Sequence, residues 1–135
     1  MKHVALSAVL VVATLATPAR ATDRDWSTQQ LVLGGVAVGL HLADWGQTRH
    51  IARSNEPGYT GQRYVEAMPL TRDVIGEVPT TRRVDTYMLG TGLLFIAAAH
   101  FLPEYRTAIL ATWAVSRVFV VVDNHELGLR IGGSF

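Results

Sequence analysis

The sequence predicts an all-α protein: a cleavable signal peptide, then a small three-helix transmembrane bundle with a long polar loop between helices one and two. Three observations carry that expectation. Residues 1–21 are laid out like a secretory leader. Three later segments are apolar and close to the length of a bilayer span. The stretch joining the first of these to the second is rich in arginine and broken by proline and glycine.

The leader comes first. Lys2 and His3 give a basic start, Val4 to Ala16 an apolar run, and Ala19-Arg20-Ala21 the small-x-small pattern of a cleavage site. Residues 22–135 then form one helical membrane domain. Its first helix is expected at about 27–52, since Trp26 to Ala43 holds no formal charge. The polar loop runs over 53–83 and contains Pro57, Gly58, Gly61, Pro69, Gly76 and Pro79. Within it, Gln62 to Met68 is expected to form a turn or two of helix that Pro69 stops. The other two helices are expected at about 84–102 and 105–123, joined as a hairpin through Leu102-Pro103.

Composition sets outer limits. The chain has 135 residues, about one domain. Charged residues make up 17%, against about 25% in a typical soluble domain, which argues against a disordered tail. A net charge of +1 supplies no broad basic surface, so no nucleic-acid partner is expected. There are no cysteines, which excludes disulfide scaffolds, thiolate metal sites and cysteine nucleophiles.

Charge also orients the chain. Loops rich in arginine stay in the cytoplasm, and the 49–83 stretch carries six arginines. A cleaved leader leaves the new N-terminus in the periplasm. Three crossings then place the C-terminus in the cytoplasm, in a bacterial inner membrane. Trp26, Trp45, Tyr87 and Tyr105 near the segment ends suit an interfacial belt, with Trp113 the exception. The competing expectation is a soluble periplasmic helical module.

Polar residues inside apolar helices are the functional candidates. His41, Asp44 and Thr48 are spaced i, i+3, i+7 and share one helix face. Gly35 and Gly39 form a G-x-x-x-G step on the opposite side, suited to helix packing. Arg117 lies within an apolar run and calls for a partner, and Asp44 is the one expected. The other reading lets Arg117 snorkel to an interface. His41, Asp44 and His100 supply metal-ligand types without a compact ligand motif, so no metal or other cofactor is expected. No serine has a nucleophile-elbow context, and Gly90-Thr91-Gly92 precedes no phosphate-loop lysine, so no catalytic residue is assigned.

Asp44-Trp45-Gly46-Gln47-Thr48-Arg49 resembles the D-x-x-Q-T-R signature of a group of small uncharacterised proteins of proteobacteria and their phages or prophages. In that group E-x-N-P, then G-x-x-P, then a hydrophobic hairpin follow. Glu66-Ala67-Met68-Pro69 resembles the first, with Met68 in place of asparagine, and Gly76-Glu77-Val78-Pro79 the second. The resemblance covers about Leu40 to the C-terminus and implies an envelope setting without an activity. Read physically, Asp44, Gln47, Thr48, Arg49 and Glu66 would staple the polar loop under the bundle, with Glu66 bonding Arg49 or Arg53. The expected function is association, with copies of the chain or with another envelope protein. In a phage setting the tasks that suit it are lysis or exclusion of competing phages. The alternative is an intramembrane enzyme or carrier built on His41, Asp44, His100 and Arg117.

Overall fold

The computed structural model describes residues 25–66 and 68–129. The leader expected at residues 1–21 lies outside them. All regular structure among the described residues is helical: α1 (Thr28–Ser54), α2 (Pro69–Ile75), α3 (Thr81–Phe101) and α4 (Arg106–Glu126). A 3-10 turn, Pro103–Tyr105, joins α3 to α4 and makes the expected hairpin corner.

Each boundary has a local cause. Ser27 opens α1 with a reciprocal capping box: its hydroxyl accepts from the Gln30 N–H at 3.2 Å, and the Gln30 side-chain carbonyl accepts from the Ser27 N–H at 3.1 Å. Thr80 caps α3 through the Arg83 N–H at 3.4 Å. Residues 62–66 are not helical, contrary to expectation, and helix instead begins at Pro69. A proline lacks the N–H that the first turn leaves unbonded anyway, so it starts a helix more readily than it continues one. Gly76, at φ 93°, ends that helix in a conformation that costs a side-chain-bearing residue steric strain.

The α3–α4 hairpin and α1 pack into a three-helix bundle, with the α1–α4 contact the most extensive. Helix α2 lies closest to α3. One apolar cluster joins Leu33 and Ala37 to Ala99, Leu110, Trp113 and Ala114. Trp113 is core, as its central position in the apolar run suggested. It is 1% exposed and stacks on Phe95 at 5.2 Å with the rings nearly parallel. A second cluster, Ala52, Ile75, Val84 and Met88, seats α2 against α1 and α3.

Polar groups share the interior with the apolar core, and large aliphatic side chains lie outside. Gln30, His41, Asp44, Gln47, Thr48 and Arg106 are all buried. Leu31, Leu42, Leu89, Leu93, Leu94, Ile96, Phe101 and Phe119 face outward. Two helical segments, Thr81–Phe101 and Pro103–Glu126, are long and apolar enough to cross a membrane. The third expected segment, α1, does not meet that measure. Its 27 residues span roughly 40 Å, which is ample, but its inward face carries too many polar groups for the helix to qualify by composition.

Candidate functional site

Helix α1 turns one stripe inward: Gln30, Leu33, Ala37, His41, Asp44, Thr48 and Ile51, at steps of three and four. The polar members form a seam along the bundle axis. At its centre Asp44 and Arg117 make a buried ion pair, with side chains only 2% and 11% exposed. Thr48 donates to the other Asp44 oxygen at 3.2 Å. Both carboxylate oxygens are therefore used, which is what a buried charge requires.

His41 lies one turn from Asp44. Its Nε2 is 2.9 Å from the Met88 carbonyl, and its ring packs 5.4 Å from Trp113. The ring fits because Gly92 has no side chain: a Cβ there would sit 3.0 Å from His41 Nε2. From sequence Gly92 has no role beyond a triplet that makes no nucleotide loop, and in the structure it gives clearance to an imidazole. Gly92→Ala is expected to destabilise the fold by about 1–3 kcal/mol, because the ring it meets is held by Met88 and Trp113 and cannot retreat freely. Chemical denaturation of Gly92→Ala beside Gly92→Ala/His41→Ala checks this. The double change should recover the overpacking part, and full additivity would refute the steric account.

The other D-x-x-Q-T-R residues bind α1 to the hairpin. The Trp45 indole donates to Asp85 at 2.8 Å, and Arg49 pairs with the same carboxylate at 3.3 Å. Gln47 is fully buried and donates to the carbonyls of Val121 and Leu129, at 3.3 and 3.2 Å. These contacts correct the expectation that the motif staples the polar loop. Arg49 goes to Asp85, and the loop is held by other residues. Ser54 accepts from the Tyr64 N–H at 3.0 Å, and Asn55 donates to the Tyr64 carbonyl at 2.5 Å. Residues at a helix C-terminus that serve the following loop carry no periodic signal, so sequence reasoning passed over them.

Glu66 is 6% exposed, and its carboxylate accepts from the Met68 N–H at 3.0 Å. Burial pushes its pKa above the ordinary glutamate range, offset in part by that hydrogen bond. A folded value above the unfolded one means the folded state holds its proton longer. Stability is then full at pH below the ordinary glutamate range and falls as pH rises through the folded value. Denaturation midpoints across that window should decline for the parent and stay flat for Glu66→Gln. A parent midpoint that rises with pH instead would refute it.

Several candidates are not brought together. His100 is exposed and packs edge-on against Phe101 at 4.9 Å. It lies twelve residues beyond Met88 on α3, roughly 18 Å along the axis from His41's partner. The cluster of His41, Asp44, His100 and Arg117 is thereby corrected to one without His100. Among the described residues no group of three or more His, Asp or Glu side chains is placed to hold a metal. Gly35 and Gly39 face outward, and a Cβ at either would meet nothing within 4 Å. Among the described residues no helix packs against them. Close approach occurs instead at Gly92 and at Gly34, whose Cβ would touch Trp26 and Leu110.

Arg106 is the residue that sequence reasoning undervalued. It is 1% exposed, donates to the Ala99 carbonyl at 2.9 Å, to Asp25 at 3.1 Å and to Gln30 at 3.3 Å, and lies over the Trp26 ring at 4.6 Å. Gln30 also donates to Thr107 at 3.2 Å. Together these close the end of the bundle opposite the polar loop. A signal was present: Arg106 falls on the inward stripe with Leu110 and Trp113.

No protein-family model, curated protein sequence or solved structure matches the chain. The chemistry of the seam is therefore read from its geometry. Asp44 is paired with Arg117 and accepts from Thr48. His41 is engaged by a backbone carbonyl. The seam binds helices to one another.

Proposed function

We propose that the chain is a small helical protein of the bacterial inner membrane that acts by association through its outward helix faces. The observation that carries this reading is the bundle's polarity. Its ionised and amide side chains are bonded inward, while leucine, isoleucine and phenylalanine cover the outside of α3 and α4. Soluble bundles arrange these groups the other way round. In a bilayer polar groups need internal partners, and the seam supplies them to both Asp44 oxygens, the Thr48 hydroxyl and the Gln47 amide nitrogen. The two apolar spans lend further support. On this reading α1 crosses as a third helix, its polar stripe covered by the hairpin. The arginine-rich loop and the C-terminus lie on the cytoplasmic side.

Association is the task because the central ion pair of the seam is committed internally, whereas Gly35 and Gly39 lie open on the outer face of α1 beside the exposed Val32 and Val36. Small residues at that spacing let a second helix approach closely in lipid. The partner is another copy or another envelope protein. The D-x-x-Q-T-R resemblance adds a bacterial or phage setting, where lysis or exclusion of competing phages are the tasks that suit such a protein.

Fractionation of cells expressing the tagged chain tests the first half. Retention after alkaline carbonate, with the C-terminal tag shielded from external protease, is the expected result. Release into the periplasmic fraction would replace this reading with a soluble periplasmic module. Val36→Cys in this cysteine-free chain tests the second half. Cross-linking between copies should fall sharply in Gly35→Leu/Gly39→Leu, which leaves the bundle itself unstrained.

A further inference from the structure

We infer that the loop-side end of the bundle is a seat for anionic phospholipid headgroups, with α2 lying in the membrane interface. The inference rests on the membrane reading above and adds a lipid class to it. Helix α2 turns Ile75 inward onto Val84 and Met88. Leu70 and Val74, one turn apart on another face, are 79% and 64% exposed. Met68 and Val78, on either side of the helix, are exposed as well. A short helix showing aliphatic side chains beside the start of a spanning segment suits the boundary between headgroups and acyl chains.

Charge selects the lipid. Arg82 and Arg83 stand at the start of α3 and are exposed, and among the described residues neither forms an ion pair. They line a cavity of about 750 Å³ between α2 and α3, together with Asp73, Thr80 and Thr86. The Arg83 guanidinium lies beside Gly76, where a Cβ would approach it at 3.5 Å. Its head group thus lies over the end of α2. Two arginines against one aspartate leave the cavity cationic, at the depth where lipid phosphates lie. Guanidinium groups bind phosphate oxygens in bidentate fashion.

The test uses the full chain with Leu70→Cys, labelled with an environment-sensitive dye and reconstituted into two vesicle types. One is phosphatidylcholine alone, and the other contains a quarter phosphatidylglycerol. The dye should be shielded from aqueous iodide in the anionic vesicles and accessible in the neutral ones. Arg82→Gln/Arg83→Gln should weaken that preference by about fivefold for each arginine removed, and the paired lysine variant should retain most of it. Shielding that is equal in the two vesicle types, or unchanged in the glutamine variant, would overturn the inference. So would shielding restored in neutral vesicles by inorganic phosphate, which would make the ligand a free anion. Flotation of the same samples separates the two claims. A chain absent from the vesicles defeats the membrane reading, whereas an inserted chain without lipid dependence defeats only this inference.

Discussion

Arg117→Ala should lower the free energy of unfolding by about 3–5 kcal/mol, the largest effect expected of any single change in the bundle. The cost comes from what remains. Asp44, its side chain 2% exposed, is left in the core with the Thr48 hydroxyl as its one remaining hydrogen-bond donor. Asp44→Ala should cost a similar amount by leaving the guanidinium unpaired. Replacing both with apolar residues of like volume, Asp44→Leu/Arg117→Met, should recover much of the loss, because each charge is then removed together with its partner. Denaturant titration in detergent on the four proteins measures the coupling directly. Single losses that simply add would mean Arg117 reaches the interface along its stem and contributes little to Asp44.

Arg106→Leu is the second large effect, about 3 kcal/mol. It leaves Ala99, Asp25 and Gln30 short of a donor, at about 1 kcal/mol or more for each buried acceptor. It also uncovers one face of Trp26. Two readouts should therefore move together: the unfolding midpoint, and Trp26 emission, judged against a Trp26→Phe background. A lowered midpoint with unchanged emission would show that the arginine acts through its carbonyl partners alone. Arg106→Lys should recover little, since one ammonium cannot reach acceptors spread over three segments.

How far the sequence foretold these features depends on what each one needs. A charge in an apolar run demands a partner wherever the run lies, so Asp44 and Arg117 were legible without coordinates. So was the hairpin, because Pro103 forbids helix continuation. Rotation about the helix axes was not legible. His100 and His41 look alike as histidines in apolar helices, but one turn of α3 faces out and α1's turn faces in. Gly35 and Gly39 showed the same limit, since spacing defines a face without saying what covers it. Pro69 misled because proline reads as a stop when a helix is expected before it and as a start when one follows. The loop contacts of Ser54 and Asn55 depend on where Tyr64 returns, which no local pattern encodes.

The seam has a consequence for the order in which the chain is made. Asp44 finds its counter-charge 73 residues downstream, and Gln47 finds one of its acceptors 82 residues downstream. Ribosomes add about 5–20 residues per second, so α1 emerges several seconds to a quarter of a minute before α4 can cover it. On the proposed membrane reading, α1 is during that interval a helix whose inward stripe repels lipid. The hairpin shows more aliphatic surface, Leu89, Leu93, Leu94, Ile96 and Phe119, although its Arg117 in turn depends on Asp44. The last helix synthesised thus becomes the template on which the first is admitted. Premature termination before Arg117 should leave α1 as a substrate for quality-control proteases rather than as a lone span, and the length of transcript translated would decide whether any of the protein persists.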